Sequence, residues 1–405
     1  MRTGQETALR TLLLCHGVLV AGLALSFPFL TLYLHERRGL EMSRVGLAIS
    51  AGLIATAVGQ AMGGELSDVW GCKRVMAASL CGRAVMTSLM AAAVAGSWPV
   101  SAVIVMHIAA SWVGNLYDPA VRSWIAFEHP ARGRVRAYGL LRVAANAAWA
   151  VGPAIGGLMA GSSYAMMFAA TAVMCLICLG LLFGLVPSAP AARSGERLHW
   201  HQTLLVARND RYRELALLGL VLACAMGQLV APLSVHATRH GGLSEVQLGL
   251  LFALNGALVV SCQQAAGRVI SRYRLTTALA AGCAFYAAGW SWIGFSRGWW
   301  PLAAGMVIVT CGEMVVSPSL AALAANLAPE KLRGRYLGFQ GLLFQLGSAA
   351  GPLLGGVGLQ YMGGQWTPAP WLAAGVLAGA AGWGFRRFGE GLSPVEQGRL
   401  CPEVL

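Results

Sequence analysis

Residues 64–74 read G-E-L-S-D-V-W-G-C-K-R, and this short, charged stretch indicates how the rest of the chain is arranged. The apolar segment 45–62 before it carries no charge, and the segment 75–100 after it carries only Arg83. The glycines in the stretch let the backbone turn tightly and approach a neighbour closely. A short charged connection of this kind predicts two membrane-spanning helices in antiparallel contact. Its charges would lie at a membrane face, where water or a partner is available.

The composition is that of a membrane protein. Of the 405 residues, 57% are hydrophobic and 11% are charged, whereas soluble domains carry about 25% charged residues. Apolar stretches of about 20 residues are long enough to cross ~30 Å of hydrocarbon. Twelve such stretches lie near 9–34, 44–66, 75–95, 99–124, 138–160, 163–186, 214–236, 245–267, 275–295, 300–326, 336–361 and 369–388. We therefore predict an all-α membrane protein with twelve transmembrane helices.

The distribution of basic residues predicts the orientation. The formal net charge is +13, but the 29 lysines and arginines recur in short loops between apolar segments instead of forming a stripe. This argues against nucleic acid as a partner. Most of them fall on one side of the membrane if both termini are cytoplasmic, as the positive-inside rule requires. We expect a multi-pass protein of the cell inner membrane with both termini in the cytoplasm.

The cysteines and histidines predict no metal site or cofactor. Most of the ten cysteines fall inside apolar spans, where cysteine behaves as a small hydrophobic residue. No clustered set of histidines and cysteines and no nucleophile–base pair is present. No phosphate-binding loop indicates use of ATP.

The chain repeats itself at a shift of 199 residues, which places Pro119 on Pro318 and the segment 152–157 on 351–356. Such internal symmetry is typical of transporters built from two related bundles, with substrate bound near the membrane midplane. The proline- and arginine-rich region after the sixth span indicates a linker between the halves. We predict two pseudo-symmetric six-helix bundles, at residues 1–187 and 214–405. A cytoplasmic linker at 188–213 joins them, and the second bundle ends in a short cytoplasmic tail.

The opening stretch resembles the loop between helices two and three of the major facilitator superfamily, G-x-L-[AS]-D-x-x-G-[RK]-[RK]. The residues that fit are Gly64, Leu66, Ser67, Asp68, Gly71, Lys73 and Arg74. Val69 and Cys72 depart from the pattern, since the family usually has basic residues at both positions. The resemblance covers nearly the whole chain and looks closest to twelve-helix, proton-coupled multidrug exporters.

The resemblance implies a conformational latch. In the family the loop aspartate faces the N-terminus of helix eleven, where the macrodipole favours an anion, and a loop base pairs with an acid ending helix four. Carried over, these acids are Asp68 and Asp118. The expected base falls on Cys72, so that Lys73 or Arg74 must substitute or the link is lost. The hypothesis is that Asp68 and Asp118 latch the outward-open state.

Two glycine–proline motifs predict bends in the fifth and eleventh spans. Proline removes a helical hydrogen bond and kinks the helix, while glycines allow close helix contact. The first motif resembles the antiporter motif of helix five in exporters of the family, with Ala148 where a glycine is usual. Because the same motif recurs in span eleven, it is a weaker indication of export. We nevertheless favour export over uptake. The motif residues are Gly152, Pro153, Gly156, Gly157, Gly351, Pro352, Gly355 and Gly356.

Glu313 and His107 are the candidates for proton coupling. Glu313 is the only acidic residue deep in a span, where an unpaired charge is costly. It would therefore face a cavity, pair with a cation, or take up a proton; the alternative is a structural carboxylate. His107 can titrate near neutral pH or be a hydrogen-bonded core residue. Arg83 and Arg142 are embedded cations, and Arg142 is placed to snorkel to the cytoplasm.

The remaining polar and aromatic residues of the spans predict the substrate class. A cavity walled by aromatic residues with few fixed charges suits amphipathic organic molecules; the alternative is that these side chains face lipid or pack. The cavity candidates are Phe27, Trp112, Asn146, Gln228, Asn255, Gln340 and Gln345. Helix one carries no acid, which removes one familiar site for cationic drugs.

The sequence thus predicts a secondary active transporter, not an enzyme, which works by alternating access and exchanges protons for a small organic solute. We expect a monomer in the lipid bilayer without a cofactor. A dedicated exporter or importer of one metabolite, such as a sugar, an amino acid or a siderophore, and a lipid translocase of the same fold remain alternatives.

Overall fold

The computed structural model describes residues 2–128, 131–187, 205–329, 332–362 and 368–398, and all regular structure in these ranges is helical. The helices are α1 Arg2–Leu32, α2 Met42–Trp70, α3 Cys72–Ala95, α4 Val100–Gly114, α5 Tyr117–Glu128, α6 Ala131–Ala160, α7 Tyr164–Leu185, α8 Asp210–Met226, α9 Ala231–Arg239, α10 Glu245–Ile270, α11 Leu275–Phe295, α12 Trp299–Leu327, α13 Arg333–Tyr361 and α14 Ala369–Glu390. A π-helical turn, Tyr33–Arg37, extends α1. A 3-10 turn, Leu205–Arg208, precedes α8.

The predicted all-α membrane fold is confirmed. Eleven helical segments within the described ranges are long and apolar enough to cross a membrane. The twelfth predicted span corresponds to α14, a 22-residue helix that falls outside those eleven. Most of the predicted linker, residues 188–204, and the end of the tail, from residue 399, lie outside the described residues.

Two of the predicted spans are interrupted helices. The fourth consists of α4 and α5, which are separated at Asn115, whose side-chain amide donates to the Ser111 carbonyl at 2.7 Å and to the Thr56 hydroxyl at 3.1 Å. Such side-chain bonds compete with the helical ladder. The seventh consists of α8 and α9, separated by residues 227–230. Pro232, in the first turn of α9, has no N–H to continue the preceding helix.

The stretch that was expected to be a loop is mostly helical. Helix α2 continues to Trp70 and α3 begins at Cys72. The turn is made at Gly71, whose φ of +86° lies in the left-handed region, which only glycine adopts at little cost. The Ser67 hydroxyl donates to the Gly63 carbonyl at 2.6 Å. The reversal between the two spans therefore needs one residue.

The chain forms two compact units. The first comprises Met1–Leu40, Ala51–Arg197 and Leu243–Val260, and the second comprises Glu41–Ser50, Leu198–Gly242 and Ser261–Leu405. Helices α2 and α10 therefore each contribute to both units. The bounds predicted from the sequence differ from these at the beginnings of the two helices, and they stay predictions.

In the first unit, α1, α3, α5, α6 and α7 contribute to a hydrophobic core that includes Trp124, which is fully buried. Cys15 and Cys178 lie in this core, and each thiol contacts the backbone carbonyl of the other residue at 3.8 and 3.7 Å. The described cysteines form no disulfide. In the second unit, α11 packs against α12 and α14, around the buried side chains of Trp290 and Trp371.

Candidate functional site

A pocket with apolar walls and several polar groups lies inside the first unit, among α1, α3, α4 and α7. It measures about 420 Å³ when the part open to solvent is included. Its lining residues are Leu23, Ser26, Phe27, Leu30, Arg83, Thr87, Met90, His107, Ala110, Ser111, Phe168 and Thr171. An arginine, a histidine and four hydroxyl groups thus share a pocket with two phenylalanine rings, and none of the acidic side chains that the structure describes lines it.

Two glycines provide the room that the charged and titratable side chains of this pocket occupy. A Cβ at Gly114 would collide with the guanidinium of Arg83, and a Cβ at Gly52 would collide with the imidazole of His107. Any larger residue at either position would displace one of these side chains. Gly114 of α4 therefore leaves the space that Arg83 occupies, and Gly52 of α2 leaves the space that His107 occupies.

His107 is buried, with 8% of its surface exposed. Its Nε2 atom is buried and has no hydrogen-bond partner among the described residues. The imidazole stacks on the ring of Phe27, with ring centroids 6.3 Å apart and planes inclined by 25°. The sequence left two alternatives open, a hydrogen-bonded core residue and a titrating one; Nε2 makes no hydrogen bond in the described residues, and a role of His107 in proton coupling stays a prediction.

Glu313 lies on α12 of the second unit and is half-buried. It is close enough to Tyr286 of α11 to interact with it electrostatically. The neighbouring Gly312 packs against α11, since a Cβ there would lie 2.9 Å from the Gly282 carbonyl oxygen and 3.0 Å from the Tyr286 ring. Its role in proton coupling stays a prediction, and His107 and Glu313 belong to different units.

The latch residues form two separate sets of contacts. Asp118 accepts a hydrogen bond from Arg122 at 2.8 Å, and its other carboxylate oxygen lies 4.0 Å from Nδ1 of His16. Lys73 donates instead to the Val186 carbonyl at 2.5 Å, at the end of α7 where the helix dipole favours a cation.

The remaining basic residue of the opening stretch does not join Asp118 either. Arg74 is exposed. Neither Lys73 nor Arg74 pairs with Asp118 in the described residues, so the substitution for the missing base is not made in this structure. Asp68 lies near the end of α2, one turn before Cys72, with which it interacts electrostatically.

The two glycine–proline motifs make equivalent contacts in their own units. In α6, Gly152 and Gly156 meet the backbone of α1 at Ala21 and Leu25. In α13, Gly351 meets Cys224 of α8 and Gly227 directly after it, and Gly355 meets Gln228 and Pro232. The final glycine of each motif contacts a different helix: Gly157 meets Glu245 of α10, and Gly356 meets Met42 of α2. The glycines thus make close contacts on two sides of each helix, and the bends predicted at the two motifs stay predictions.

The cavity candidates are spread over several environments. Phe27 lines the pocket, whereas Trp112 lies in an exposed apolar groove with Val105 and Ile108. Gln228 is buried and donates to the Gly351 carbonyl at 2.9 Å. Gln340 is 7% exposed, and neither polar atom of its amide has a partner in the described part of the chain. Asn146, Asn255 and Gln345 are half-buried, and Arg142 is exposed.

Sequence reasoning did not identify the pocket as a unit. Arg83 and Thr87 are four residues apart on α3, and His107 and Ser111 are four apart on α4. This spacing places each pair on one face of its helix, and it could have indicated a shared polar pocket. The contributions of Gly52 and Gly114 had no such signal. The described residues contain no group of histidine, cysteine and acidic side chains that would hold a metal ion.

Comparison with known proteins decides the family. The model of the Major Facilitator Superfamily matches residues 12–352 and 216–396. The chain belongs to this superfamily. It is 28% identical to the MFS-type transporter YttB of Bacillus subtilis (strain 168), over 88% of this chain and 89% of that protein. It is 27% identical to the class G tetracycline resistance protein of Vibrio anguillarum, over 90% of this chain and 93% of that protein.

The solved structures agree on the fold. The crystal structure of a point mutant of the nucleoside transporter NupG superposes with a TM-score of 0.81 at 14% identity, covering 94% of this chain and 99% of NupG. At this identity the likeness shows the fold alone. Membership of the superfamily and the transporter relatives together identify a multi-pass membrane transporter, not an enzyme.

Proposed function

We propose that this major facilitator superfamily protein is a proton-coupled antiporter that exports amphipathic organic compounds across the inner membrane. In this proposal both termini are cytoplasmic, and the two six-helix bundles predicted at 1–187 and 214–405 alternate access to the substrate. One charge that moves down 100 mV supplies about 2.3 kcal/mol, and a pH gradient adds to it. No nucleotide is then required.

The observation that carries the proposal is the environment of His107. An imidazole has an ordinary pKa near neutral pH, and here it sits inside a membrane-spanning unit, stacked on Phe27, with Nε2 buried and unpartnered among the described residues. Nε2 faces Gly52 of α2, and no described residue hydrogen-bonds to it. Glu313, half-buried on α12, is the second candidate for carrying the proton, in the other unit.

The amphipathic character of the substrate rests on the pocket walls. Phe27, Phe168 and Met90 provide apolar surface beside hydroxyl groups, which is the combination found in sites for small organic ligands. The similarity to a tetracycline resistance protein over 90% of the chain supports export of a drug-like compound. The proposal includes a monomer, with protons, lipid and a small organic substrate as its partners.

The proposal is tested by proton movement in inverted membrane vesicles. An interior-acid pH gradient is established and reported by a fluorescent amine, and tetracycline, ethidium, a sugar and an amino acid are added in turn. We expect the amphipathic compounds to release protons from vesicles that contain the protein and not from vesicles without it. Proton movement only with the sugar or the amino acid would instead identify a dedicated metabolite transporter.

A further inference from the structure

We infer that the pocket around Arg83 is a binding site for a carboxylate group carried on an apolar organic body, which makes organic anions one substrate class of this transporter. The site lies wholly inside the first unit, and its residues come from α1, α3, α4 and α7. The inference deepens the transport proposed above and rests on it for its physiological meaning.

The first observation is an uncompensated cation. Arg83 lies within the span formed by α3, and an arginine side chain stays protonated at all physiological pH values. Among the described residues, its guanidinium forms no ion pair with an acidic side chain, and no acidic side chain lines the pocket. A cation inside a membrane normally pairs with an anion or a carbonyl group. A bound anion would supply the missing countercharge.

The second observation is the unpartnered nitrogen of His107. This side chain lines the same pocket as Arg83, is more than nine-tenths buried, and has no partner for Nε2 in the described part of the chain. Nε2 faces Gly52 of α2, so the guanidinium of Arg83 is the donor that a carboxylate in this pocket would meet, with the imidazole ring beside it.

The shape of the donor set favours a carboxylate over a spherical ion. The guanidinium is planar and offers parallel N–H groups that match the two oxygens of a carboxylate. Ser111 lines the pocket one turn after His107. The hydroxyls of Ser26, Thr87 and Thr171 donate to backbone carbonyls, whereas that of Ser111 makes no such bond within the described residues. It is available as a second donor.

The apolar walls define the rest of the ligand. Leu23, Phe27, Leu30, Met90 and Phe168 line the pocket beside the polar groups. Aromatic rings favour offset or edge contacts with another ring. Apolar walls beside a few polar groups are the combination found in sites for small organic ligands, and they suit the carboxylate end of such a compound.

The test measures binding to the purified full-length chain in detergent, at constant ionic strength. The probes are benzoate, its neutral analogue benzamide, the cation benzylammonium, and chloride. We expect benzoate to raise the unfolding temperature in a concentration-dependent manner and the other three to leave it unchanged. An equal shift with benzamide would overturn the requirement for a negative charge. A shift with chloride as large as that with benzoate would overturn the assignment to an organic carboxylate.

Variants locate the site. Arg83→Gln is expected to abolish the benzoate shift, while Arg83→Lys, which keeps the charge but loses the planar fork, is expected to weaken binding about tenfold. If the first variant does not fold, the second carries the test. The control is Arg268→Gln, an exposed arginine of the other unit, which should bind benzoate as the wild type does. Unchanged affinity in Arg83→Lys and Arg83→Gln would overturn the inference.

The result is separable from that of the proposed antiport, because binding is measured without a membrane or a gradient. If the protein does not bind benzoate but exports compounds in exchange for protons, the transporter proposal stands and the organic anion is excluded. Benzoate binding without proton movement would support the site and contradict the coupling.

Discussion

A Cβ atom at Gly157 of α6 would lie 2.5 Å from the carbonyl oxygen of Glu245, the first residue of α10. The side chain of the same glutamate lies 3.8 Å from the Arg37 guanidinium, which is 5.9 Å from the ring centroid of Tyr164. The beginning of α10 is therefore held in the first unit by a backbone contact and by an ion pair. The equivalent glycine, Gly356, meets the Met42 carbonyl in the second unit.

The close contact at Gly157 predicts that a larger residue at this position destabilises the protein. In Gly157→Val the new side chain cannot avoid the Glu245 backbone, and we expect a loss of about 1–3 kcal/mol, which is typical of overpacking. Gly180→Val in α7 is the matched control, because no atom of the described chain lies within 4 Å of a Cβ there. Thermal unfolding and transport are measured for both. Equal behaviour of the two variants would contradict the close contact.

A buried network in the second unit predicts the effect of removing one hydrogen bond. Trp371 Nε1 donates to Nδ1 of His236 at 3.0 Å, and Nε2 of His236 donates to the Ile293 carbonyl at 3.0 Å. His236 is 1% exposed. Trp371→Phe leaves Nδ1 without a donor, and an unsatisfied buried polar group costs about 1–3 kcal/mol.

The measurement for this network is the unfolding temperature in detergent. Trp300→Phe is the control, since Trp300 is 80% exposed and its loss should change little. A Trp371→Phe protein as stable as the Trp300→Phe protein would show that the His236 hydrogen bonds contribute nothing measurable.

Removal of the ion pair of Asp118 is expected to change the transport rate but hardly the stability of the protein. Asp118 and Arg122 are four residues apart on α5 and 2.8 Å from each other, and such helical pairs contribute about 0.3–0.5 kcal/mol. Under the latch hypothesis, Asp118→Asn should slow transport markedly while stability stays within that margin. Asp210→Asn, which removes an equivalent pair with Arg213 at 2.8 Å, is the control. Transport by Asp118→Asn at the wild-type rate would exclude a latch role for Asp118.

The C-terminal turn predicts a pH-dependent contact outside the membrane spans. The Ser393 backbone N–H and then its hydroxyl donate hydrogen bonds to Glu396, at 2.7 and 2.8 Å, and these lower the pKa of that carboxyl below its ordinary value of 4.5. Gln397 is buried nearby, and its amide oxygen accepts from the Thr276 hydroxyl at 2.9 Å. The turn is thus docked onto the beginning of α11.

The sign of this pH dependence follows from the lowered pKa. A carboxyl with a depressed pKa in the folded state contributes stability that is fully present above 4.5 and is lost as the pH falls through the depressed value. We expect hydrogen exchange of residues 393–398, corrected for intrinsic pH effects, to accelerate in that acidic range. Ser393→Ala should move the acceleration to higher pH. A profile that is identical in both proteins would exclude the contribution of Glu396.

The spans, the turn and the repeat were predictable from the sequence because each is a local pattern. Gly71 shows this well, since its place between two apolar runs predicted the reversal that its φ of +86° provides. The repeat that relates Gly157 to Gly356 also predicted equivalent environments. What the sequence did not reveal was which helix each glycine meets, because Glu245 and Met42 are distant in the chain.

The site was less predictable than the fold. Arg83 was recognised as an embedded cation, but its place beside His107 depends on a missing side chain at Gly114, 31 residues further along the chain in α4. The sequence left open that Lys73 or Arg74 substitutes for the base missing at Cys72 or that the link is lost, and in the structure Lys73 reaches the end of α7 at Val186. In both cases a partner distant in sequence determines the contact, and no local spacing encodes it.

Coupling of proton movement to substrate movement is tested by Glu313→Gln and His107→Gln, one variant for each candidate coupling group. Transport of an identified substrate is measured in inverted vesicles with and without an imposed pH gradient, and Glu390→Gln, an exposed residue at the end of α14, is the control. We predict that Glu313→Gln abolishes gradient-driven transport but spares exchange of bound substrate. The control should behave as the wild type. Gradient-driven transport that is unaltered in both Glu313→Gln and His107→Gln would contradict proton coupling.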